Sequence, residues 1–159
     1  MESIRSPWRL AYVTTADRQE GCVLCRTLAA ADRPESLVVH MAKLNFVMMN
    51  LYPYNSGHLM IVPKRHLARL ELATPEELAE MMTLAQRLEG VMGEVYRPDG
   101  MNLGMNLGRP AGAGVVDHIH LHIVPRWTGD TNFMTVLGET RVIPEDPLLA
   151  CAKLRSFFE

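Results

Sequence analysis

The chain has 159 residues, 48% of them hydrophobic and 21% charged, with a formal net charge of −2. That length and balance suit one domain, residues 1–159, with enough chain for a single filled core. Near-neutral charge argues against a surface that tracks nucleic acid or binds an anionic membrane, so an anionic ligand has to be held by local devices.

In chain order, Met1 to Tyr12 mixes Glu2, Arg5 and Arg9 with Pro7 and Trp8 and lacks the apolar centre of a signal peptide. No apolar run approaches the ~20 residues that span a bilayer. Cysteines number three, Cys22, Cys25 and Cys151. So low and odd a count points to a reducing, cytoplasmic setting rather than a disulfide framework. Cys22-Val23-Leu24-Cys25 reads as half a metal site or as a redox pair. The segment Glu35 to Asn50 reads as two strands joined by a turn. The turn residues Tyr52 to Gly57 then open onto the apolar strand His58 to Pro63.

The clearest helix begins at Thr74-Pro75-Glu76-Glu77, where a hydroxyl N-cap, a proline and a glutamate form a capping box. Leu78, Met81, Met82, Ala85, Leu88, Met92 and Val95 give it one apolar stripe, and Pro98-Asp99-Gly100 ends it. Strands are expected over Met101 to Asn106 and Val115 to Trp127, divided by the glycine-rich loop Gly108 to Gly114. Pro147 to Phe158 reads as a short helix carrying Cys151 as a structural residue. Strands paired through short turns with one long crossover helix indicate an α+β fold on an antiparallel sheet. The 11 methionines read mostly as core filler.

The most informative stretch is Asp117-His118-Ile119-His120-Leu121-His122-Ile123-Val124. On a strand, alternate side chains share a face, so the three histidines recur at steps of about 6.6 Å while the apolar residues anchor the other face. Such a row can bind a metal, although zinc also draws ligands from other segments. It can equally serve phosphoryl chemistry, because a neutral imidazole attacks phosphorus. His122 stands two residues past the middle histidine, in reach of a scissile or bridging oxygen. Gly112 and Gly114 lack a Cβ, so the loop can bring backbone N–H groups close to a phosphate. A plain hairpin turn would use the same residues.

His118 to Val124 resembles the signature of the histidine triad family. The resemblance extends through Asn50 to His66, through Asn106-Leu107-Gly108 with Ala111 to Gly114, and through Pro125-Arg126-Trp127 with Gly129 to Phe133. The last two stretches look most like its diadenosine tetraphosphate phosphorylase and hydrolase branch. The resemblance implies an antiparallel sheet of about five strands with a long crossover helix and a short C-terminal helix. It makes His120 the nucleophile, forming a nucleotidyl-histidine, with a backbone carbonyl near His118 holding its tautomer. Asn106 resembles the family's donor to the α-phosphate. The Asn106–His118 interval is one residue longer than the pattern, which leaves open which of Ala113, Gly114 and Val115 faces the phosphate.

Asn50 falls where the family bonds the ribose hydroxyls, and it serves equally to close a strand at a turn. Phe46 and Leu51 are candidates to sandwich an adenine, and ordinary core residues by the same token. Zinc-bearing members order their ligands as Cys22, Cys25, His66 and His118 do, implying a structural zinc ion; His40 fits neither site. The resemblance also implies a homodimer built by extending the sheet, with the segment from Arg126 onward helping to build the partner's pocket. The expected activity is cleavage of dinucleoside polyphosphates. The competing expectations are a nucleoside phosphoramidate hydrolase and a nucleotide-binding regulator of low turnover.

Overall fold

The computed structural model describes residues 21–130 and 145–158. Met1 to Tyr12, and Thr131, Asn132 and Phe133 of the family resemblance, lie outside these residues. The described elements are α1 (Val23–Ala29), β1 (Val38–Met41), β2 (Asn45–Met49), β3 (Leu59–Pro63), α2 (Pro75–Val95), β4 (Gly100–Gly104), β5 (Leu121–Arg126) and α3 (Pro147–Arg155). The strands form one antiparallel sheet in the order β1-β2-β3-β5-β4. The α+β expectation holds.

The capping box at Thr74 is formed as the sequence predicts. Thr74 accepts from the Glu77 N–H at 3.2 Å while the Glu77 carboxylate accepts from the Thr74 N–H at 2.8 Å. Glu77 also binds Arg65 at 2.9 Å, which ties the helix start to the end of β3. One correction concerns the apolar stripe of α2. Its buried residues include Leu84 and Val91, whereas Met82 is 57% exposed. Met82 lies about 100° around the helix from Met81, outside the face that the sheet covers.

The face of the sheet carrying Val47, Ile61, Leu121 and Ile123 packs on α2 and on Ala150, Cys151 and Leu154 of α3. The other face carries Phe46, Met48, Met60 and Val62, and Leu24 of α1 covers it at the β1–β2–β3 side. Register aligns Met48, Met60, His122 and Gly104 in one row across β2, β3, β5 and β4. His122 therefore belongs to the face opposite the long helix.

A second correction is that the histidine strand starts late. Pairing begins at Leu121, not Val115. Before it, Ile119 donates to the Leu67 carbonyl at 2.7 Å, and His118 is drawn aside toward the cysteines. Residues 114–118 of this lead-in are bent rather than paired. Among the described residues, no helix is long and apolar enough to cross a membrane.

Candidate active site and metal centre

Four residues from three segments meet at the end of β3. The ligand atoms of Cys22, Cys25, His66 and His118 all lie within 4.8 Å of one another. Cys22 is the N-cap of α1 and Cys25 sits in its first turn, so the helix brings both sulfurs to one side. His118 Nδ1 lies 3.4 Å from Cys22 Sγ and 3.6 Å from Cys25 Sγ, and His66 Nδ1 lies 3.4 Å from Cys25 Sγ. A tetrahedral ion at ordinary zinc–ligand bond lengths places sulfur and nitrogen about 3.6 Å apart. The separations fit. His118 also donates from Nε2 to the Pro63 carbonyl at 2.9 Å, which leaves Nδ1 as the bare nitrogen beside the cysteine sulfurs. The cluster could hold a metal ion.

His118 then hands its backbone to the next histidine. Its carbonyl accepts from His120 Nδ1 at 2.9 Å. A carbonyl only accepts, so the proton of the neutral His120 ring is on Nδ1 and Nε2 carries a lone pair. Burial holds the His120 pKa below the ordinary histidine value, which keeps that lone pair free of a proton. Among the described residues, no hydrogen bond engages His120 Nε2.

His122 has the opposite tautomer, for a reason invisible in the sequence. The Tyr54 backbone N–H donates to His58 Nδ1 at 3.0 Å. His58 therefore carries its proton on Nε2, which points at His122 Nδ1 at 2.9 Å. With Nδ1 accepting, neutral His122 keeps its proton on Nε2. Burial, followed by the nearness of His120, lowers the His122 pKa to about 4, so the ring is neutral near pH 7. The His120 and His122 rings meet edge to face with centroids 4.7 Å apart. One bare nitrogen and one N–H donor thus stand side by side.

His58 is the residue that sequence reasoning missed. It is fully buried, and Gly57, at φ +73°, sets it at the start of β3. Only the β3–β5 register brings it to His122; its position after a turn glycine was the available hint. Asn55 secures the same turn by donating to Asp130 at 2.7 Å and to the Pro125 carbonyl at 3.0 Å.

The remaining candidates divide. Asn50 accepts from the Tyr52 N–H at 2.9 Å and lies over the His58 ring, so it closes the turn beside the histidine pair. Leu51 is exposed, whereas Phe46 is 0% exposed among Met48, Met60 and Val62. As it stands, Phe46 has no open face for an adenine, because it points into the cluster that α1 covers. Asn106 lies beside Gly112, whose φ of +94° bends the loop. Ala111, Gly112 and Ala113 spend their N–H groups on Gly108 and Arg109 carbonyls within the loop. Among the described residues no hydrogen bond takes the N–H of Gly114 or Val115. His40, outside both centres, stacks on Phe158 with ring centroids 4.5 Å apart.

A family model described as HIT domain matches residues 32–129. The chain belongs to the HIT family. An AP-4-A phosphorylase of Mycobacterium tuberculosis is 50% identical to this HIT chain over 111 residues, which is 70% of this chain and 57% of the relative. A bis(5'-nucleosyl)-tetraphosphatase [asymmetrical] of Schizosaccharomyces pombe is 35% identical over 95 residues, 60% of this chain and 52% of that protein. The chain thus spans about half the length of these curated relatives. The crystal structure of a Zn-bound histidine triad family protein from Mycobacterium smegmatis superposes with a TM-score of 0.68 at 30% identity. That match covers 86% of this chain and 91% of the other.

Proposed function

We propose that this HIT protein is a nucleotidyl hydrolase or transferase acting on dinucleoside polyphosphates of the diadenosine tetraphosphate type. The observation that carries the reading is the pair of opposite tautomers on neighbouring rings. His120 Nε2 attacks the α-phosphorus, and the bond from that phosphorus to the bridging oxygen breaks as His122 Nε2–H hydrogen-bonds the departing oxygen. The nucleotidyl group is then carried on His120 and passed to phosphate or water. Phosphate gives a nucleoside diphosphate, water a nucleoside monophosphate. The N–H groups of Gly114 and Val115, with the Asn106 amide, would receive the charge on the phosphoryl oxygens.

Adenine is the base favoured by the likeness to the AP-4-A phosphorylase and to a bis(5'-adenosyl)-triphosphatase of Dictyostelium discoideum. Asn50 would contact the ribose and Leu51 the base. In the same reading zinc is held by Cys22, Cys25, His66 and His118. With four protein ligands it leaves no open position, so its contribution is to fix the fold around His118, whose carbonyl sets the His120 tautomer. A homodimer formed along the free edge of β4 fits the exposed Leu103 and the sheet order.

Incubation with diadenosine tetraphosphate, with and without orthophosphate, tests the reading. Phosphate-dependent ADP marks a phosphorylase; AMP with ATP and no need for phosphate marks a hydrolase. His120→Ala is expected to lose turnover by about 10³-fold or more while still binding AMP. Substantial turnover in that variant would remove His120 from its role, and AMP binding without any turnover by the wild type would leave the low-turnover regulator.

A further inference from the structure

On the sheet face opposite α2, a cavity of about 260 Å³ opens against His122. Its wall includes Asn102 and Gly104 of β4, Arg126 of β5, and Asn55 and Asp130. Neither His120 nor Gly112, Gly114 and Val115 lines it. Asn106, the amide placed at the α-phosphate above, does line it, so the cavity runs from that position past the donor ring His122 toward Asn102 and Arg126 without His120 in its wall.

The wall's hydrogen bonds decide what it can hold. Asp130 is saturated: Oδ2 accepts from Arg126 Nε at 2.6 Å, Asn55 at 2.7 Å and the Trp127 N–H at 3.2 Å, and Oδ1 accepts from Arg126 Nη2 at 2.8 Å. Asn102 Oδ1 accepts from Arg126 Nη1 at 2.7 Å. Arginine has five N–H groups, and these bonds use three of them, leaving one on each terminal nitrogen. With its carbonyl engaged, Asn102 keeps its NH₂ as an unspent donor in the cavity wall. The Asp130 and Asn102 side-chain oxygens are engaged while Arg126 and Asn102 keep unspent N–H groups; Asn55, whose NH₂ is spent on Asp130 and Pro125, offers only its amide oxygen.

A cavity lined by residues with surplus N–H groups matches phosphoryl oxygens. Its floor is open. Gly104 pairs with His122 and Gly100 with Arg126, and a Cβ built at Gly104 meets nothing within 4 Å. Asp130 offsets the charge of Arg126, so the cavity offers hydrogen-bond donors rather than a net field.

We propose that this cavity is a phosphate subsite for the departing side of the substrate, with Asn102 and Arg126 holding phosphoryl groups beyond the bond that breaks. The proposal rests on the nucleotidyl-transfer reading. The departing polyphosphate and an incoming orthophosphate share this chemistry, because both occupy the space beside His122.

Calorimetric titration of the full chain with inorganic tripolyphosphate, orthophosphate and AMP tests it, using wild type, Asn102→Ala and Gly104→Val. The valine fills the floor while leaving the Arg126–Asp130 pair intact. Tripolyphosphate affinity is expected to fall about tenfold or more in both variants, with AMP affinity within about twofold of wild type. A parallel loss for orthophosphate assigns the subsite to the acceptor as well; an unchanged orthophosphate affinity restricts it to the departing chain. Wild-type binding of AMP without tripolyphosphate, or tripolyphosphate binding equal in all three proteins, overturns the subsite and leaves nucleotidyl transfer standing. Failure of the wild type to bind AMP overturns the underlying reading instead.

Discussion

His58 Nε2 lies 2.9 Å from His122 Nδ1, and the two rings are almost wholly buried. This contact, through the Tyr54 N–H behind it, fixes which His122 nitrogen faces the cleft as a donor. His58 sets the tautomer of the ring that the proposed function makes the donor.

His58→Ala removes the donor to His122 Nδ1 and lets that ring change tautomer. A fall in kcat of about 10–100-fold is expected, with KM little changed. His58→Gln keeps a carbonyl for the Tyr54 N–H and an amide for His122, so it should recover part of the loss. Nitrogen-15 shifts of the His122 ring report the tautomer directly. Identical shifts and rates in wild type and His58→Ala would deny His58 its positioning role.

Metal analysis of the purified protein is expected to find stoichiometric zinc in wild type and little in Cys25→Ala. Stripping the ion should lower the thermal midpoint by roughly 4–8 °C if the site contributes about 2 kcal/mol. Metal content equal in the two proteins would show that the cysteines are not ligands.

The pH dependence of stability follows from the lowered His122 pKa. Folded His122 stays neutral down to about pH 4, whereas an unfolded histidine protonates near 6.5. Between these values the unfolded chain binds more protons, so stability rises with pH across this window and is lost as pH falls through it. His122→Gln should flatten the slope of the thermal midpoint between pH 4 and 6.5. A slope unaltered by the substitution would assign the dependence to other groups.

Gly57→Ala tests the turn that sets His58. The residue has φ +73°, and a Cβ there would lie 2.6 Å from the Met92 Cε and 3.2 Å from Tyr96. A loss of about 2–4 kcal/mol in denaturant unfolding is expected from backbone strain and overpacking together. Because the residue precedes His58, turnover should fall even at temperatures where the variant remains folded. Wild-type stability would mean that helix α2 and the turn separate at little cost.

Much of the fold is legible in the sequence because its signals are local. The capping box at Thr74 is made by residues three apart, the β3 strand by an apolar run, and the α3 helix begins at Pro147 as expected. The histidine repeat and the Cys22–Cys25 spacing likewise mark candidate sites before any contact is known. Met82 shows where local reading fails: its spacing suits the stripe, yet the sheet covers the face of Leu84 and Val91 instead.

Sequence alone determined the residue types for phosphoryl and metal chemistry, since those depend on composition and on spacing along one segment. Tertiary structure decided the rest. The His58–His122 bond joins residues 64 apart and Cys22–His118 residues 96 apart, so both depend on strand register and helix docking. The proton position on His122, the proposed donor, depends on the long-range bond to His58, whereas that on His120, the proposed attacker, is set by the His118 carbonyl two residues away. A ring has two equivalent choices until a neighbouring carbonyl or N–H removes one.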